Sequence, residues 1–160
     1  MKKEYVSLGQ ATLQEVMLEE LMPLILERLA AGQQVSFSPR GTSMLPMLRQ
    51  GKDTVVLSPV TGRLHKYDLP LFRLDDGKYV LHRIIQVGEK YTCRGDHLYR
   101  AEKNIRHDQV LAVVTGFSRN GRTYSTNSLA YRLYCRIWVG SYSVRWFFYR
   151  VKRKLRRWLS

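Results

Sequence analysis

The stretch Tyr79-Val80-Leu81-His82-Arg83-Ile84-Ile85-Gln86-Val87-Gly88-Glu89-Lys90-Tyr91-Thr92-Cys93-Arg94 decides the fold. Residues 79–87 and 91–94 are rich in β-branched and aromatic side chains and lie on either side of Gly88-Glu89, the composition of two strands joined by a short turn. Outward from there the pattern recurs. Val35 and Phe37 alternate with polar neighbours, and residues 54–57, 69–74 and 110–117 form further short apolar runs. Ser58-Pro59, Asp75-Asp76-Gly77 and Asn120-Gly121 mark turns between them. Short strands closed by tight turns predict a mainly β fold, an antiparallel sheet or barrel, over residues 34–126.

Helical patterns flank this region. Thr12-Leu13-Gln14-Glu15 has the form of a capping box. Leu13, Val16, Met17, Leu21, Leu24, Ile25 and Leu29 follow at helical spacing, predicting a helix that ends near Gly32, with a kink or break at Pro23. After Thr126, Leu129, Leu133 and Ile137 recur at spacing four, and Val144, Phe147, Phe148, Val151, Leu155 and Leu159 form a second stripe. Arg145, Arg150, Lys152, Arg153, Lys154, Arg156 and Arg157 surround that stripe. The chain therefore divides into an N-terminal helical segment (1–33), a β-rich domain (34–126) and a basic amphipathic helical tail (127–160).

The charge divides the same way. The 160 residues carry 27 Lys+Arg and 13 Asp+Glu, a net +14, yet every acid lies at or before Asp108. A whole-chain polycation is excluded. Two cysteines, Cys93 and Cys135, are too few for a disulfide framework or a structural zinc site and fit a reducing compartment. The acidic N-terminal segment does not have the form of a secretory signal, and the most apolar stretches, 21–26 and 137–144, are too short to span a bilayer. For the tail, aromatic residues among cations suit a helix lying in an anionic membrane interface better than a solvated face or a nucleic-acid contact. The residues expected to meet the membrane are Trp138, Trp146, Phe147, Phe148, Lys152, Arg153 and Trp158. The expectation is a peripheral membrane association through the tail of an otherwise cytoplasmic chain.

The chemistry is carried by three short motifs in the nearly neutral part. Gly41-Thr42-Ser43-Met44-Leu45-Pro46 forms a turn after a strand, Leu81-His82-Arg83-Ile84 lies within the opening stretch, and Arg94-Gly95-Asp96 ends the next strand. A serine hydroxyl becomes a useful nucleophile when a neighbouring base accepts its proton. Histidine, with an unperturbed pKa of about 6.5, suits that task at neutral pH.

In this order the motifs Ser-Met-x-Pro, His-Arg-Ile and Gly-Asp resemble the type I signal peptidases and LexA-like serine peptidases, over roughly residues 34–118. The histidine makes the chain similar to the endoplasmic-reticulum and archaeal branch. The resemblance implies a LexA/signal-peptidase-like antiparallel β fold, Ser43 as nucleophile and His82 as base, with Asp96 or Glu102 orienting the imidazole. It also implies oxyanion stabilisation around Gly41, Thr42 and the Ser43 amide, and a substrate groove along Met44, Pro46, Val80 and Leu81. No metal or cofactor is implied, and His65, His97 and His107 lack metal-ligand spacing. Some members place a hydroxyl residue where this chain has Gly41, while the LexA-like branch has Gly there; the departures fall on scaffold positions, Gly51-Lys52-Asp53 and Tyr67-Asp68 replacing Gly-Asp turns and Pro70 entering a strand.

The expected function is a serine endopeptidase acting on a peptide or preprotein at a membrane surface. The alternatives are a LexA-like self-cleaving or dedicated processing protease, and an inactive peptide-binding module. One capped helical segment before the first strand is too little for the DNA-binding module of a LexA-type repressor.

Overall fold

The structure, a computed structural model, describes residues 18–158. The capping box Thr12–Glu15, the apolar residues Leu13, Val16 and Met17, and Leu159 lie outside them. The chain forms nine strands and three α-helices in these residues: α1 (Leu18–Ala30), β1 (Val35–Phe37), β2 (Thr54–Ser58), β3 (Pro70–Arg73), β4 (Tyr79–Leu81), β5 (Arg83–Val87), β6 (Tyr91–Arg94), β7 (Glu102–Ile105), β8 (Val110–Arg119), β9 (Arg122–Ser125), α2 (Leu129–Gly140) and α3 (Tyr142–Trp158). All pairings are antiparallel, so the fold is of the mainly β class that the strand and turn pattern predicts.

Two sheets share the strands. The larger has the order β1-β2-β8-β3-β4 with β9 also on β8, and the smaller is β5-β6-β7. Residues 79–87, expected as one strand, are in fact two. β4 ends at Leu81, β5 begins at Arg83, and the halves belong to different sheets. His82 is the junction. Its buried side chain is therefore placed by the passage between sheets, and not by strand alternation with Val80 and Ile84.

The core forms two clusters, the second shared between the sheets. The larger packs Val35, Val55, Leu57, Leu71 and Phe117 against Met22, Ile25 and Leu29 of α1 and Tyr131 and Cys135 of α2. Met44, Met47 and Leu48 join that core from the Ser43 turn. Ile84, Tyr91, Cys93 and Ile105 of the smaller sheet pack with Leu64 and Phe72. The helix α1 runs through Pro23 as a single element; burial of Met22, Ile25 and Leu29 offsets the backbone hydrogen bond that proline forfeits. It ends at Ala30 and is closed at Gly32, near where expected. There, with φ at +73°, Gln33 N–H donates to Arg28 O and Gly32 N–H to Leu29 O, the paired bonds of a Schellman cap.

Pro70 is tolerated because it is the first residue of its strand. Asn120 and Gly121, both at positive φ, close the β8–β9 hairpin. No helix among the described residues is long and apolar enough to cross a membrane.

Candidate active site

Ser43 sits in the turn between β1 and β2, and that turn is anchored from beneath. Met44, Met47 and Leu48 are buried, and Leu48 N–H donates to Met44 O at 2.9 Å. Asp53, fully buried, accepts from the Arg49 amide at 2.9 Å and from its guanidinium at 3.0 and 2.7 Å. Burial works to raise the Asp53 carboxyl, but the hydrogen bonds and charge of Arg49 outweigh it and hold it below the ordinary range. Gly41 spends its amide on Gln50 Oε1 at 2.9 Å. Of the oxyanion donors expected from sequence, this leaves the Thr42 and Ser43 amides. Gly41 and Thr42 are exposed at the rim, Ser43 is half-buried and Pro46 is exposed.

His82 enters from the opposite side. Its Nδ1 is 2.8 Å from Glu102 Oε2, because the β6–β7 register sets Glu102 across from Cys93, while Cys93 itself pairs with Ile84 of β5. With Glu102 accepting at Nδ1, the neutral ring carries its proton there and keeps the Nε2 lone pair free. Desolvation works to raise the Glu102 carboxyl, and the hydrogen bond and charge of His82 overcome it, holding it below its usual value. Nε2 faces the Ser43 segment. A Cβ added to Gly95 would lie 2.6 Å from the Ser43 carbonyl oxygen and 3.0 Å from His82 Nε2. Ser43 and His82 also line one cavity of about 210 Å³, walled by Phe37, Met44, Val80 and Leu81 with Arg40 at its edge. Of the expected groove residues, Met44, Val80 and Leu81 are in this wall and Pro46 is not.

Asp96 does not touch His82. It is buried in a bidentate ion pair with Arg83, at 2.8 Å to Nε and 2.7 Å to the terminal nitrogen. Of the two acids proposed to orient the imidazole, Glu102 makes the contact and Asp96 holds the scaffold. Arg83, whose role the sequence reading missed, is completely buried. It also donates to Tyr131 Oη at 2.7 Å and to Tyr67 O at 3.2 Å, and reaches Cys135 Sγ and Met47 Sδ, each at 2.9 Å. Desolvation would lower the guanidinium, but Asp96 outweighs it and raises it well above its ordinary value. Two opposite charges, Arg83 within one motif and Asp96 at the end of the other, on neighbouring strand and turn, were the available signal. The same loop then grips the nucleophile turn, His97 N–H donating to Ser43 O at 2.8 Å.

The C-terminal helices pack on this loop. Trp138, expected at a membrane surface, is instead turned inward: its indole N–H donates to Asp96 O at 3.0 Å, and Arg145 covers its ring at 3.8 Å. Tyr142 Oη donates to Tyr99 O at 2.9 Å, and Tyr99 stacks on Tyr149. Trp146, Phe147 and Phe148 are exposed, as is Lys152. The side chains of Arg153 and Trp158 lie outside what is described. Among the described residues no His, Cys, Asp and Glu side chains cluster to hold a metal ion.

Comparison with known proteins adds no relative: no family model, curated protein or solved structure matches the chain.

Proposed function

We propose that this chain is a serine endopeptidase of the signal-peptidase type, working through Ser43, His82 and Glu102. The observation that carries this reading is the buried His82, bound through Nδ1 to Glu102 and turning Nε2 toward the Ser43 turn at the head of a groove. In the acylation step Ser43 Oγ attacks the scissile carbonyl and His82 Nε2 takes the hydroxyl proton. Glu102 fixes the ring and stabilises the imidazolium. The oxyanion that develops meets the Ser43 amide. His82 then returns the proton to the leaving amine, and a water activated by the same nitrogen hydrolyses the acyl-serine.

The substrate is an extended peptide. β1 and β4 are the terminal strands of the path β1-β2-β8-β3-β4, and residues of both, Phe37 with Val80 and Leu81, wall the cavity. An added strand there gains backbone hydrogen bonds, and the cavity takes an apolar side chain. Exposed Phe147 and Phe148 beside Lys152 support the location at an anionic membrane surface.

The test is cleavage of a peptide library by the full chain and by Ser43→Ala. Loss of cleavage in a variant with an unchanged melting temperature is the expected result. Cleavage at the parental rate would remove Ser43 as nucleophile and with it the proposed mechanism.

A further inference from the structure

The helix α2 presents two faces of opposite chemistry. Tyr131, Cys135 and Trp138 point into the domain. Leu129, Leu133 and Ile137, one turn apart, are 83, 58 and 60% exposed. At 100° per residue, Arg132 and Arg136 project along one flank of that apolar stripe. Both exposed arginines reach over a second cavity of about 580 Å³, remote in sequence from the Ser43 groove. Its facing wall is the turn before β3, where His65 and Lys66 add two further nitrogen groups. Asp68 is the one acid among the lining residues; its Oδ2 accepts from the His65 amide at 2.7 Å and lies 3.9 Å from His65 Nδ1, so the cations there outnumber it. The turn holds its shape at a cost: Tyr67 has φ of +82°, a region that a bulky side chain rarely enters. Arg83 clamps its carbonyl from below, and Lys66 lies over its ring.

An apolar ridge next to a cationic hollow matches one ligand chemistry, an anionic phospholipid with acyl chains against the ridge and phosphate in the hollow. We propose that the cavity between the 65–68 turn and α2 is a headgroup site for an anionic phospholipid, with Arg132 and Arg136 as its principal cations and Leu129, Leu133 and Ile137 seated in the acyl layer. The site is separate from the basic stripe of α3 and requires nothing of the peptidase chemistry. It places the domain on the bilayer through α2, the helix whose inner face is fastened to the Arg83–Asp96 pair.

The experiment is partition of the full chain onto vesicles of phosphatidylglycerol and phosphatidylcholine, and onto phosphatidylcholine alone. Three variants are compared with the parent: R132Q/R136Q, Leu133→Ser, and Phe147→Ser/Phe148→Ser on α3. Each cation near an anionic surface contributes about fivefold, so R132Q/R136Q should lose about thirtyfold in partition onto the anionic vesicles and change little on phosphatidylcholine. Leu133→Ser should weaken binding to both. The substituted side chains are exposed, so melting temperatures should stay at the parental value. The α3 variant reports the other stripe: it should weaken overall partition and leave the loss caused by R132Q/R136Q in place. Unchanged partition of R132Q/R136Q would overturn the proposal. So would equally tight binding of water-soluble glycerol phosphate that displaces the vesicles, since the hollow would then be a site for free phosphate.

Discussion

Gly95 leaves no space for a side chain, and its neighbours are the two groups on which the proposed chemistry rests. The nearest contact of an added methyl would be backbone, the Ser43 carbonyl at 2.6 Å, which cannot rotate away. Gly95→Ala should therefore displace the Ser43 turn from His82. Peptide turnover is expected to fall by at least about tenfold, because catalysis is sensitive to displacements on the order of 1 Å; a steady-state assay checks it. For Glu102→Gln the loss should fall chiefly on kcat, by roughly 10²- to 10⁴-fold, the usual range for proton-transfer catalysis.

The same substitution has a stability signature. A carboxylate depressed in the folded state stabilises the fold above its unfolded pKa, about 4.3, and that contribution is lost as pH falls through the lower folded value. The melting temperature of Glu102→Gln should therefore lie below the parent's at neutral pH, with the gap closing on acidification. Arg83→Met should cost about 3–5 kcal/mol in urea unfolding by leaving the Asp96 carboxylate buried without its partner. Adding Asp96→Leu should recover much of that loss. Ser43, His82 and Glu102, the residues of the proposed mechanism, could be singled out from residue type and order alone. The choice between Glu102 and Asp96 could not be made so, since it depends on which neighbour each carboxylate meets after the strands pair.

At the scale of elements, alternation and turn residues made most strands readable, and the exceptions share a cause. β7 has one buried residue, Ile105, and Asn104 at positive φ, while every residue of β9 is exposed. Neither carries an apolar alternation, so each is defined by the backbone of the strand it joins, β9 with the further help of Tyr124 stacked on Phe117. The split at His82 was hidden for the opposite reason. Both halves are apolar, and Val80 of the first packs in the same cluster as Ile84 of the second, so only the change of pairing partner, from β3 to β6, separates them.

The Tyr67 turn is a further case: the resemblance places a glycine there, and φ of +82° shows what a glycine would supply. Helix α2 is opened by Ser128, whose side chain accepts from the Tyr131 amide. Ser128→Ala should destabilise the protein by about 1 kcal/mol, read from the urea midpoint at constant m-value.

For the whole molecule, the net +14 is unevenly held, and the described part of the tail is fastened to the domain by Trp138, Tyr142 and Arg145. The charge division was legible from sequence, but not this fastening, which arises from single side-chain hydrogen bonds to backbone carbonyls without a sequence period. If anionic vesicles hold the protein, raising salt from about 0.15 M to 1 M shortens the screening length from about 8 to 3 Å and should release most of it. Exposed Leu133, Ile137, Phe147 and Phe148 should retain a residual fraction; a sedimentation series across salt concentrations measures both parts.

Both cysteines of the chain are buried. Burial pushes the Cys93 thiol up to about 12 and raises that of Cys135 as well. Neither presents a thiolate to a maleimide under native conditions. The natural protein is thus a blank background for site-directed labelling, in which one introduced thiol, such as Ser143→Cys, would carry a reporter without removing either native cysteine.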